Sequence, residues 1–295
     1  MTKLYATMAI IAALACAAGA YYWAHGLGAF GRVSKAAQPA RAAPVLATGK
    51  AAEASASPTL SRTIEPGNRA APADADTPLR PGEVLEFAAD VANLSNVANL
   101  RLQIVDRRDF FGKYAWHLQA FARTENPLRM VFELDDQFDS YSDAATLSSL
   151  QYEMHLNERG EKQESIQRMT TTGVERAATN ATQTRVAPGT RDPLGLMQYL
   201  RTVDWTKTHE VRGPVYDGHK LYDVSARLGG PAQNIAVPAG SFSASKIELR
   251  VFDAGAELKD AHFALYLASN AARTPVLLEA VMPFATARVA LVKIK

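Results

Sequence analysis

Cysteine is almost absent from this 295-residue chain: Cys16 lies in the apolar N-terminus and no other is present. Everything beyond it is therefore without a disulfide framework or a thiolate metal site. A domain of this size can build its core without either. Charge is missing from Leu4 to Phe30, and aromatic residues are missing from 31–80. Catalytic signatures are missing too. There is no H-E-x-x-H, no G-x-S-x-G and no phosphate loop. The one G-x-G-x-x-G, at Gly26, Gly28 and Gly31, comes after an apolar segment and before a proline-bearing stretch. A dinucleotide fingerprint needs a strand before it and a helix after it, so no cofactor is expected there. Net charge is close to balance at +2, and the part from Pro81 onward carries −2. That excludes a basic footprint for nucleic acid.

The uncharged N-terminal run starts just after Lys3. A basic start, an apolar middle and the small-x-small sequence Ala18-Gly19-Ala20 fit a signal peptide. Leu4 to Ala24 also has the length of a membrane anchor, with Tyr21-Tyr22-Trp23 at an interface. A lipoprotein acceptor at Cys16 is the third reading, opposed by Leu14 standing one place too near the cysteine. All three readings carry the remainder of the chain across an inner membrane, to a periplasmic or envelope location. If the segment is uncleaved, the membrane is itself a partner through residues 4–24. Residues 31–80 hold fourteen Ala and six Pro without apolar periodicity, the composition of a disordered, semi-extended linker.

From Pro81 to Lys295 the period changes to two, and 19 aromatic residues appear. Leu85-Phe87-Ala89-Val91, Leu100-Leu102-Ile104, Tyr114-Trp116-Leu118-Ala120 and Leu150 to Leu156 each place apolar side chains on alternate positions. A further strand is expected to begin at Phe132 and Leu134. The pattern resumes at Tyr222-Val224-Ala226-Leu228, Ile247-Leu249-Val251, Phe263-Leu265-Leu267, Val276-Leu278-Ala280 and Val289-Leu291. Turn residues such as Arg159-Gly160 and Asp217-Gly218 separate them. This spacing predicts an all-β domain, an antiparallel sheet curved into a sandwich or a partly open barrel. One helix interrupts. Asp192-Pro193 is an N-cap followed by proline at the first helical position, and Leu194, Met197 and Leu200 recur at helical spacing. It is expected to run to about Asp204.

The densest polar run is Asp135 to Asp143. It lacks the glycine and terminal acid of a calcium loop, so no metal is expected. Asp136, Asp143, Asp192 and Asp217 are expected to hold turns. A hydrolase using carboxylates near Asp136 and Asp143 is the catalytic alternative. His117, His155, His209, His219 and His262 are dispersed and are expected at the surface or satisfied locally. Trp116, Phe138, Tyr141, Tyr199 and Tyr222 are the candidates for lining an apolar ligand cavity. The competing expectation for them is ordinary core packing.

Six short segments in order resemble the bacterial family known as domain of unknown function 3108. They are Pro81-Gly82-Glu83-Val84-Leu85-Glu86-Phe87, Asp136-x-Phe138-x-Ser140-x-x-Asp143 followed by Leu147, Arg191-Asp192-Pro193-Leu194 through Tyr199-Leu200-Arg201, Tyr216-Asp217-Gly218-x-Lys220-x-Tyr222, Val237 to Phe242, and Arg273-Thr274-Pro275-Val276. The resemblance implies an exported all-β envelope protein and supplies no catalytic residue. It departs at Ala271-Ala272, where the family often has an acid beside the arginine. The expectation is thus a non-catalytic envelope domain that binds an apolar, lipid or glycan-like ligand, or a protein partner. A structural assembly subunit is a further alternative.

Overall fold

A computed structural model of the chain describes residues 77–171, 181–283 and 285–295. The signal, anchor and Cys16 readings, and nearly all of the linker, lie outside the described residues. Leu79 already belongs to the core.

Fifteen strands and one α-helix occur in order among the described residues. They are β1 (Val84–Val91), β2 (Leu94–Phe110), β3 (Lys113–Thr124), β4 (Asp135–Asp143), β5 (Ser149–Glu158), β6 (Glu161–Thr170), β7 (Thr182–Arg185), α1 (Pro193–Thr202), β8 (Glu210–Tyr216), β9 (Leu221–Leu228), β10 (Gln233–Val237), β11 (Gly240–Asp253), β12 (Ala256–Glu257), β13 (His262–Ala268), β14 (Pro275–Met282) and β15 (Ala285–Ile294). They form one sheet in the order β7-β6-β5-β4-β3-β2-β1-β15-β14-β13-β11-β9-β8, with β10 and β12 attached to β11. Neighbours are antiparallel except β6 and β7. The all-β expectation holds, with a sheet that is not closed into a barrel. Phe132 and Leu134 precede β4, after a short 3-10 turn at Leu128–Met130, so that strand starts later than the apolar pattern suggests.

A common segment ties β5, the third strand from one end of the sheet, to β8 at the other end. Thr190 accepts from the Ser149 amide of β5 through its carbonyl oxygen, at 2.9 Å. The next residue, Arg191, donates its amide to Pro214 of β8 at 3.1 Å and accepts from the Tyr216 amide at 2.8 Å. Consecutive residues are about 3.8 Å apart, so β5 and β8 lie on either side of one extended strap. Alternation then sends Phe87, Leu100, Leu102, Ile104, Trp116, Leu118, Val276, Leu278, Val289 and Leu291 into one apolar interior.

The α1 helix is fastened at both ends. Asp192 is fully buried and caps the Gly195 amide at 2.9 Å. Its second oxygen accepts from the Ser140 hydroxyl at 2.6 Å and from the Ser149 hydroxyl. Burial pushes the Asp192 carboxyl above the usual range, and these hydrogen bonds oppose it. Gly195 allows the close approach: a Cβ there would stand 2.9 Å from Ser142 Oγ and 3.1 Å from the Leu147 carbonyl. At the other end Arg273 donates from one nitrogen to the Arg201 and Val203 carbonyls at 2.9 and 2.7 Å. It thereby satisfies carbonyls that a helix end leaves open. The helix stops at Thr202, two residues short of the expected end. Asp192→Ala removes the cap and should cost about 1–2 kcal/mol, read as a lowered urea midpoint at unchanged slope. An unchanged midpoint would refute the cap's contribution.

Candidate functional site

The outer face of β3, β4 and β5 carries a polar group centred on Asp139. The alternation of β4 divides its residues. Asp136, Phe138, Ser140 and Ser142 point inward, while Gln137, Asp139 and Tyr141 point outward. Cross-strand register sets His117 opposite Tyr141 and Gln119 opposite Asp139.

Asp139 is the hub. Its carboxylate accepts from Gln119 Nε2 at 2.6 Å and Gln137 Nε2 at 2.7 Å, and lies 2.7 Å from His117 Nε2. Burial alone would raise this carboxyl. Hydrogen bonds from His117, Gln137 and Gln119 outweigh it and hold the group below the usual range. Both glutamine amides give their nitrogen to Asp139, which turns their oxygens away from it. Tyr141 stacks on the His117 ring with centroids 4.6 Å apart and planes 10° from parallel. Phe110 and Phe111, from the tip of the β2–β3 hairpin, meet Tyr141 edge-on at 5.0 and 5.3 Å. Burial, aided by the negative charge of Glu153 and Asp139, pushes the Tyr141 hydroxyl up to about 12. It therefore remains a neutral donor.

The rim mixes charge with exposed ring surface. Phe111 is 44% exposed, and the Arg168 guanidinium sits 3.4 Å from its centroid. Arg108 lies over Phe110 and pairs with Asp106 at 2.9 Å. Gln151, opposite Tyr141 on β5, is buried and donates to Glu153, but its Oε1 has no hydrogen-bond partner. Among the described residues no serine, threonine or cysteine bonds to His117, and no cluster of His, Cys, Asp and Glu could hold a metal.

The five aromatic candidates are scattered. Trp116, Phe138 and Tyr222 are core residues. Trp116 donates its indole N–H to the Ala144 carbonyl at 3.3 Å, and Phe138 stacks on Tyr152 at 6.4 Å. Tyr199 packs under the Arg191 guanidinium at 3.6 Å. Tyr141 alone among them belongs to the outer cluster. Its companions Phe110, Phe111, His117, Gln119, Gln137 and Asp139 had no apolar periodicity to draw attention to them. The signal available was the two-residue period of Asp135–Asp143, which splits that run between two faces.

Two of the four aspartates expected at turns, Asp143 and Asp217, hold turns, whereas Asp192 caps α1 and Asp136 lies within β4 and bonds across to β5. Asp143 accepts from the Ala145 and Thr146 amides at 3.0 and 2.9 Å. Asp217 accepts from the His219 and Lys220 amides at 2.8 and 2.7 Å. Gly218 beside it has φ 96° and leaves no room for a Cβ, which would stand 2.5 Å from Met154. Asp136 accepts from the Asn157 amide at 2.9 Å. Asp136 and Asp143 lie seven positions apart on one strand, about 23 Å at the rise of a β-strand. Paired glycosidase carboxylates stand about 5–9.5 Å apart, so these two do not form such a pair.

A family model described as "Protein of unknown function (DUF3108)" matches residues 89–292. No curated protein matches the chain. Among solved structures, a β-barrel-like protein of domain of unknown function DUF1849 from Brucella abortus aligns at 12% identity and TM-score 0.44, covering 74% of this chain and 98% of that one. A protein described as a candidate lipoprotein, from Parabacteroides distasonis, aligns at 12% identity and TM-score 0.34, over 74% and 97%. A third, described as a candidate exported protein with a YmcC-like fold from Bacteroides fragilis, gives 11% identity and TM-score 0.30, over 74% and 98%.

Proposed function

Since the chain belongs to the DUF3108 family of proteins of unknown function, which assigns it no activity, we propose from its own geometry that it is an exported, non-catalytic domain. Its ligand is a glycan of the cell envelope, bound on the outer face of β3, β4 and β5. Export is supported by the uncharged run Leu4 to Phe30 after Lys3. The single observation that carries the binding reading is the stack of Tyr141 on His117, flanked by Phe110 and Phe111 and floored by amides fixed on Asp139. A sugar ring has an apolar face for such rings and hydroxyls for such amides. A few fixed polar groups among aromatic surface are what small-ligand recognition requires. A purely apolar lipid would leave the outward amide oxygens of Gln119 and Gln137 desolvated without donors.

The test is retention of the full-length protein on an array of bacterial envelope oligosaccharides, with Tyr141→Ala/Phe111→Ala as the comparison. Binding should weaken about tenfold or more in the double variant, the scale of a lost aromatic pair and its buried area, at an unchanged melting temperature. No retention of the wild-type protein on any glycan would refute the reading.

A further inference from the structure

We infer that the outer face of β1, β2, β3 and β15 carries a second site, for an anionic group (a phosphate monoester or a carboxylate) attached to a flat or apolar body. It stands on different residues and does not depend on the glycan reading. A depression of about 340 Å3 opens there, bordered by the outward-facing Glu86, Arg101, Phe121, Arg123 and Val292. That volume lies within the range of small-molecule sites.

The register places the two arginines for one anion. Arg101 of β2 is opposite Phe121 of β3, so Arg123 is its diagonal neighbour on the same face. Diagonal neighbours have their Cβ atoms about 7–8 Å apart, close enough for two guanidiniums to converge on one phosphate or carboxylate. The Arg101 guanidinium lies 5.9 Å from the Phe121 ring centroid and donates to Gln103 Oε1 at 3.0 Å. Among the described residues no carboxylate is within ion-pair distance of it. Arg123 has Asp135 and Glu125 at 3.5 and 3.9 Å from its Nε, at or beyond the limit of a hydrogen bond. Asp135 is already engaged by Arg129 at 2.6 Å. The one acid bordering the depression, Glu86, is bonded by Lys295 and has Lys293 opposite it. It is held below the usual carboxylate range by its Lys295 hydrogen bond, with Lys293 and Arg101 adding to the effect. Fixed cations thus prevail, and the Phe121 ring with the half-exposed Val292 offers the apolar wall that a bare ion would not need.

Phenyl phosphate and inorganic phosphate, each titrated into the full-length protein at low salt, test the site. Phenyl phosphate should bind saturably and about tenfold tighter than inorganic phosphate. Arg101→Gln/Arg123→Gln should weaken it about tenfold or more, as expected for lost charge-assisted bonds, at an unchanged melting temperature. Phe121→Ala should abolish only the preference for the phenyl group. Vesicles of phosphatidylcholine with and without phosphatidic acid separate the sources of the same chemistry. Binding to phosphatidic acid that is lost in the double arginine variant assigns a lipid headgroup. Indifference of both proteins to that lipid assigns a free small molecule. The inference is overturned if the wild type shows no saturable binding of phenyl phosphate, or if the arginine variant binds it equally well.

Discussion

Arg201→Met should destabilise the domain by about 3–5 kcal/mol, the cost of stranding a buried ionic partner. Arg201 has no solvent exposure. Its guanidinium forms two bonds to the Glu83 carboxylate, at 2.6 and 2.8 Å. It also donates to Gln198 Oε1 at 2.8 Å and to the Ala272 carbonyl at 2.8 and 3.2 Å. Every donor direction is used, and two distant stretches of chain converge with the helix's own Gln198 on one side chain. Methionine fills much of the volume but leaves Glu83 and the Ala272 carbonyl facing apolar surface. For a domain of this size the melting temperature should fall by roughly 10 °C. Urea titration of the wild type, Arg201→Met and Arg201→Met/Glu83→Gln provides the check. The double variant should recover part of the loss, because the uncompensated carboxylate is gone. A loss under about 1 kcal/mol in the single variant would show that the cluster contributes little.

Asp136→Asn should remove a pH dependence rather than an activity. Asp136 is 4% exposed on the inner face of β4. Burial raises its carboxyl to about 7, opposed by the Asn157 amide bond and assisted by the negative charges of Glu158 and Asp135. Its ordinary value is 3.8, so between about pH 4 and 7 the folded state holds a proton that the unfolded chain has released. The contribution of Asp136 to stability therefore falls as pH rises through that window. The ceiling on the effect is about 4 kcal/mol, from about 1.36 kcal/mol per pKa unit. Asparagine keeps an oxygen for the Asn157 amide and never ionises. The variant should match the wild type near pH 4 and gain on it steadily, by up to about 3–4 kcal/mol at about pH 8. Burial also raises Glu158, Asp192 and Asp217, so the difference between the two proteins is the quantity to follow, by urea midpoints across that pH range. Parallel curves would sink the assignment.

The strands with two-residue apolar alternation were legible, because alternation is a local property of a half-buried strand. The Asp192-Pro193 start of α1 was legible for the same reason: a cap and its first turn are neighbours in the chain. The strands β6, β7, β8, β10 and β12 were not. In β6, Glu161 to Glu164 are all exposed, so no burial pattern marks that stretch. The β7 residues are likewise mostly exposed at a sheet edge. Such strands are recruited by the hydrogen bonds of a neighbour, not by their own composition. Several segments that carry the family resemblance have a physical explanation only in the folded state. Glu83, Arg201 and Arg273 come from three of them, and together they anchor the C-terminal half of α1. In the same turn as Arg273, Ala272 offers its carbonyl to Arg201.

The order of amino acids alone dictates the class of the domain, the faces of its apolar strands and the start of its helix, because each depends on residues within a few positions of one another. Folding in three dimensions is what stacks Tyr141 on His117, gathers two glutamines on Asp139, and sets Arg101 and Arg123 beside one depression. Those meetings depend on strand register, where a slip of one residue would turn every side chain to the other face. That register is set by the whole interior packing at once, so no local stretch of sequence contains it.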